Sequence, residues 1–133
     1  MIKRGKNLIM SPNKISIRPS ILGINDSPNL SFEERFQNKT LRPIIKLQHD
    51  LLIAHFHEYL LNMNCNFEAL STLEKQNYIF KAFNKGNSFK LELKGIIIGH
   101  FTKDEFTDYC CNKNDFNKRI LTMIKERLIS VLV

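Results

Sequence analysis

The stretch TLRPIIKLQHDLLIAHFHEYLLNM, residues 40–63, constrains the fold more than any other part of the chain. Leu41, Ile44, Ile45, Leu51, Leu52, His55, Phe56, Tyr59, Leu60 and Met63 recur at three- and four-residue spacing, the period of an α-helix. The apolar face is too broad for a two-helix seam, so this helix is predicted to meet several neighbours. Thr40 is placed to cap its first turn. Pro43 falls within that turn, where a missing N–H costs little.

Further helix starts are written locally. Ser31 with Glu34, Ser71 with Glu74 and Thr102 with Glu105 each make a capping box, in which hydroxyl and carboxylate satisfy two otherwise unpaired N–H groups. They predict a short helix over 32–37, a helix over 72–83 burying Leu73, Ile79, Phe80 and Phe83, and a short helix through Cys111 burying Phe106 and Tyr109. Gly86 marks a stop. Another helix is predicted over 89–98, with a strand as the competing reading of Ile96, Ile97 and Ile98. Gly95 is placed for a close helix crossing and Gly99 for a C-cap. The last helix runs from about Asp115 to Leu132, with Phe116, Ile120, Met123, Ile124, Leu128, Val131 and Leu132 inside. The fold class is all-α, a compact bundle of four main helices with short accessory helices and an extended N-terminal arm.

That arm covers residues 1–39, packed on the core or on a partner, and the helical domain covers 40–133. KISIR, residues 14–18, alternates polar and apolar and predicts a short extended segment, which Pro19 ends. Ile15, Ile17 and Ile21 need an apolar surface, either the chain's own core or a second copy, and are candidate dimer contacts. The chain's 133 residues, 43% hydrophobic, suit one folded domain. The nearest approach to a membrane span, Leu91 to Phe101, is interrupted by Glu92, Lys94 and His100. No secretory signal is read at the start, and three cysteines, two of them adjacent, do not form a disulfide framework, so a reduced, cytoplasmic setting is expected.

The net charge is +7, of which +4 falls on residues 1–40. Lys3, Arg4, Lys6, Lys14 and Arg18 are candidate polyanion contacts, with Lys118, Arg119 and Lys125 as a second patch. The arm has no aromatic before Phe32, so any nucleic-acid binding would be sequence-independent and salt-sensitive rather than based on stacking. The competing reading is a chain rich in Asn, Lys, Ile and Phe whose charge only solvates it.

At LRPIIKLQHDLL, at LKGIIIGHFTKDEF and at the closing NKRILTMIKERL, the chain resembles a small uncharacterised helical family of Bacteroidetes. SIRPSILGI and FQNKTLRP are similar too, so the resemblance covers most of the chain. It implies an intracellular bacterial protein. Members sometimes carry an automatic glyoxalase label, but this chain lacks the strand-rich pattern of a glyoxalase module, and the resemblance supplies no catalytic residues.

Chemistry-bearing residues form no recognised constellation. His49, His55, His57 and His100 match neither HExxH nor a Glu-x-x-His pair. Cys110 and Cys111 lack CxxC spacing, and one of them is predicted to be core and the other a boundary residue. A helix-turn-helix over 102–128 would place Asp115 where base-reading side chains belong. No cofactor or metal is expected, and enzymatic activity is not. The function class that remains is a structural or protein-interaction domain, with a second copy or another protein as its candidate partner; the alternative is a weak, sequence-independent nucleic-acid-binding module.

Overall fold

A computed structural model describes residues 10–23 and 27–133, with side chains from Asn13 onward. Within these residues the chain is all-α and strand-free. Its helices are α1 (Met10–Ser16), α2 (Phe32–Phe36), α3 (Arg42–Leu47), α4 (His49–Asn62), α5 (Thr72–Lys85), α6 (Asn87–Ile98), α7 (Lys103–Cys110) and α8 (Lys113–Leu132). A π-turn, Gln37–Leu41, joins α2 to α3 without a break. Counting 32–47 as one run gives a bundle of about seven helices, rather than specifically four main ones.

All three capping boxes form. The hydroxyls of Ser31, Ser71 and Thr102 accept from the N–H of Glu34, Glu74 and Glu105, and each carboxylate accepts in return from the cap residue's own N–H. α4 ends in a Schellman motif. Asn64 takes φ 54°, Cys65 N–H donates to Leu60 O at 3.0 Å, and Asn64 N–H donates to Leu61 O at 3.1 Å. α5 gives way to α6 at Gly86, where a Cβ would lie 2.8 Å from the Ala82 carbonyl oxygen and 3.3 Å from the Tyr59 ring. Only glycine fits so tight a junction.

Three local expectations change. The KISIR segment is helical through Ser16, because two apolar residues two apart do not separate a strand from a short exposed helix. Thr40 is not a cap, since it lies inside the continuous helical run 32–47. A proline ring at position 43 would press on the Lys39 carbonyl of a regular helix, and the π-turn opens the backbone just there, with Arg42 N–H reaching back five residues to Gln37 O. The close crossing expected at Gly95 is absent: Gly95 is exposed, and a Cβ there meets nothing within 4 Å.

α8 packs on α5, α6 and α7, while α4 packs on α6. Phe116, Ile120, Ile124 and Leu128, four apart, form its fully enclosed stripe. Each contributes about 1.5–3 kcal/mol by leaving water. Leu73, Phe80, Phe106 and Val131, expected inside, are exposed instead. They belong to amphipathic helices whose buried stripe is narrower than the apolar one. Two aromatic groups complete the core: Phe36 against Phe101 and Phe116, and Phe56 against Phe67 and Phe89.

Candidate functional site

Two features bring distant polar residues together. The first is a charge cluster at the start of α7. Glu105 is presented there by its own capping box, with Oε1 accepting from Thr102 N–H at 2.9 Å. Arg18 closes on it from the N-terminal segment as a two-pronged pair. Nη1 donates to Oε2 at 2.7 Å, and Nη2 donates to Oε1 at 2.8 Å. Arg18 Nη2 also donates to the His100 carbonyl at 2.7 Å, and the Thr40 hydroxyl donates to Glu105 Oε2 at 3.2 Å. The Arg18 side chain is only 5% exposed, and its Nε is buried with no hydrogen-bond partner.

Burial pushes the Glu105 carboxyl up. The Arg18 hydrogen bonds, the Thr102 N–H, the Arg18 charge and the Thr40 hydroxyl together outweigh it and hold the group below its ordinary value. His100, beside this cluster, is pushed down by burial and then by the charges of Arg18 and Lys14. Its Nε2 accepts from the Gln48 side-chain amide at 2.5 Å, as a neutral ring can. Lys14 Nζ donates to the Phe101 carbonyl at 3.0 Å, and Lys46 Nζ donates to the Ser20 carbonyl at 2.9 Å. The N-terminal segment is thus tied to the α6–α7 turn and to α3.

The second feature is a groove between the run 32–47 and α8, with Ile21 and Gly23 at its lip. Two adjoining hollows of about 480 and 550 Å³ share Ile21, Gln37, Arg42 and Arg119. Arg127 lines the larger one. Its Nη1 donates to His49 Nδ1 at 3.0 Å, and burial lowers its pKa. Arg42 Nε donates to Asn38 Oδ1 at 3.1 Å. Among the described residues, none of these three arginines forms an ion pair with a carboxylate.

The sequence-read candidates separate accordingly. Lys3, Arg4 and Lys6 lie outside the described residues. Lys14 and Arg18 spend their donors on the chain's own carbonyls and on Glu105, because a segment docked at the α6–α7 turn meets these acceptors before any external anion. Lys118 and Arg119 are exposed on α8, and Arg119 is turned by about 100° from Lys118 toward the groove. Lys125 lies over the Phe80 ring at 5.2 Å. Ile15 and Ile17 are 54% and 55% exposed, and Ile21 is half-buried at the groove lip. Cys110 and Cys111 are both exposed free thiols, neither in the core, since the inward position of that turn is taken by Tyr109. Among the described residues, no group of three or more His, Cys, Asp or Glu could hold a metal ion, and no helix is long and apolar enough to cross a membrane.

The groove has no signature in the sequence, because Arg42 and Arg127 belong to different helices and carry no shared spacing. No family model matches the chain, and neither curated proteins nor solved structures give a match.

Proposed function

We propose that this chain is a protein-interaction domain that self-associates through its N-terminal segment. The observation that supports this reading is the pose of that segment. Arg18, Lys14 and the Ser20 carbonyl are fixed to the helical body, while Ile15 and Ile17 point outward. Leu22, 94% exposed, extends the same apolar surface along the segment. A segment already ordered loses less conformational entropy on association, so a modest apolar contact suffices. Sedimentation velocity on the full chain, compared with an Ile15→Ser/Ile17→Ser double variant, tests it. A dimer that becomes a monomer with unchanged helical circular dichroism is expected. A wild-type chain that stays monomeric at about 100 µM, a concentration that detects all but the weakest contacts, sinks the reading.

A sequence-independent nucleic-acid-binding module is the second reading. It would rest on Lys118 and Arg119, both exposed and without a carboxylate partner among the described residues, together with the cations near the N-terminus. Its mark would be a steep fall of affinity with salt, reduced by Lys118→Gln.

A further inference from the structure

Among the described residues, the groove between the run 32–47 and α8 carries more arginine than carboxylate. Arg42, Arg119 and Arg127 reach it from three points. Arg127 is half-buried, and its partner is a histidine nitrogen, which carries no countercharge. Arg119 makes no hydrogen bond or ion pair among the described residues. Arg42 lines both hollows and, among the described residues, donates only through Nε, to Asn38. Two acids share the walls. Glu34 is engaged by the Ser31 N–H in the α2 capping box, and Glu126 is exposed. Among the described residues the local balance is therefore positive. Arg127 is partly withdrawn from water without a countercharge, which is unfavourable, and an anion that pairs with it offsets that cost.

Size and lining narrow the ligand. A hollow of about 550 Å³ is within the range that holds small molecules. Guanidinium forks match the oxygens of a phosphate two at a time, and several arginines together favour a dianion over a single carboxylate. Ile21 and Met123 line the same space, so an organic portion has an apolar surface to cover. Among the described residues, no aromatic ring lines either hollow, which gives a nucleobase nothing to stack on. We propose that this groove is a binding site for a small organic phosphate monoester, held by Arg42, Arg119 and Arg127 and flanked by Ile21 from the docked N-terminal segment.

Isothermal titration of the intact chain at constant ionic strength tests this with three probes: glycerol 3-phosphate, inorganic phosphate and glycerol. Saturable one-to-one binding of glycerol 3-phosphate is expected, with weaker binding of inorganic phosphate and none of glycerol. Arg119→Gln, at an exposed position with no internal contact to lose, should weaken glycerol 3-phosphate by about tenfold or more, the loss of one charge-assisted contact. Arg42→Gln should act in the same direction. Lys81→Gln, which removes the same charge from the exposed face of α5, should leave affinity unchanged. The proposal is overturned by a wild-type titration that shows no saturation up to about 10 mM. It is equally overturned if Arg119→Gln binds as wild type, or if Lys81→Gln weakens binding as much as Arg119→Gln, since the effect would then be net charge alone.

Discussion

Arg18 and Glu105 stand 87 residues apart and meet through two parallel hydrogen bonds of 2.7 and 2.8 Å. The same carboxylate caps α7, so one side chain both starts a helix and anchors the N-terminal segment. A buried pair of this kind gains little over an apolar replacement of similar volume, but it is costly to break from one side.

Glu105→Gln should expose that asymmetry. Glutamine at this position still serves a capping box, so α7 keeps its start while Arg18 is left as a buried cation without a countercharge. A loss of roughly 2–4 kcal/mol in urea unfolding is expected. In the double variant Arg18→Met/Glu105→Gln the loss should be smaller than the sum of the two single losses. Additive losses would show that the two groups act independently.

Acid should weaken the fold in two separate windows. His100 has a folded-state pKa below its ordinary 6.5, so its stabilising contribution is present above that value and lost as pH falls through the folded pKa. Glu105 is also depressed, from 4.5, and its contribution is lost only at lower pH. The urea midpoint should therefore begin to drop as pH falls below 6.5, before Glu105 is protonated. His100→Gln should flatten that drop and leave the lower one in place. An unchanged profile would remove His100 from the account.

Two glycines, one just before α6 and one within it, should respond oppositely to alanine. Gly95 is helical and its Cβ would meet open space, so Gly95→Ala is expected to stabilise by about 0.5–1 kcal/mol through helix propensity. At Gly86 the added carbon would lie 2.8 Å from a backbone oxygen, and Gly86→Ala should cost about 1–3 kcal/mol. Thermal unfolding of the pair, side by side, reads both signs.

Tyr78 should resist ionisation. Burial, then a hydrogen bond with Cys65, then the Cys65 and Tyr59 charges push its phenol up to about 12. Tyr109, hydrogen-bonded through its hydroxyl to the Asn117 side-chain oxygen, is also raised by burial. Raised folded-state values mean that stability is intact below the ordinary pKa of 10.0 and declines above it. Ultraviolet titration should show Tyr78 ionising near 12 or together with alkaline unfolding. Simple titration of all three tyrosines near 10 in folded protein would contradict the packing around Tyr78.

What the sequence made legible was local. Ser31 with Glu34, Ser71 with Glu74 and Thr102 with Glu105 are three residues apart, and their chemistry is complete within one helical turn. The stop at Gly86 and the four-residue stripe of α8 are of the same kind. Arg18 looks like a polyanion contact in the sequence, because nothing near it in the chain names Glu105. Arg42 and Arg127 carry no sequence signal as a pair for the same reason, since their sharing one hollow depends on how α3 and α8 are placed. Leu73 and Phe106 show the other limit: an apolar residue on a helix is only a candidate for burial until the neighbouring helix is placed.

The π-turn at Gln37–Leu41 works as a phase shifter. It holds about one residue more than an α-helical turn, so everything after it is rotated relative to everything before. Phe36 faces Phe101 and Phe116, Thr40 reaches Glu105, and Ile44 and Ile45 are still enclosed, along a single uninterrupted run. An uninterrupted α-helix would keep one of those alignments and turn the other toward water. Deleting Asn38 would thus remove no core atom and yet misdirect half the helix, with a penalty set by angle rather than by volume.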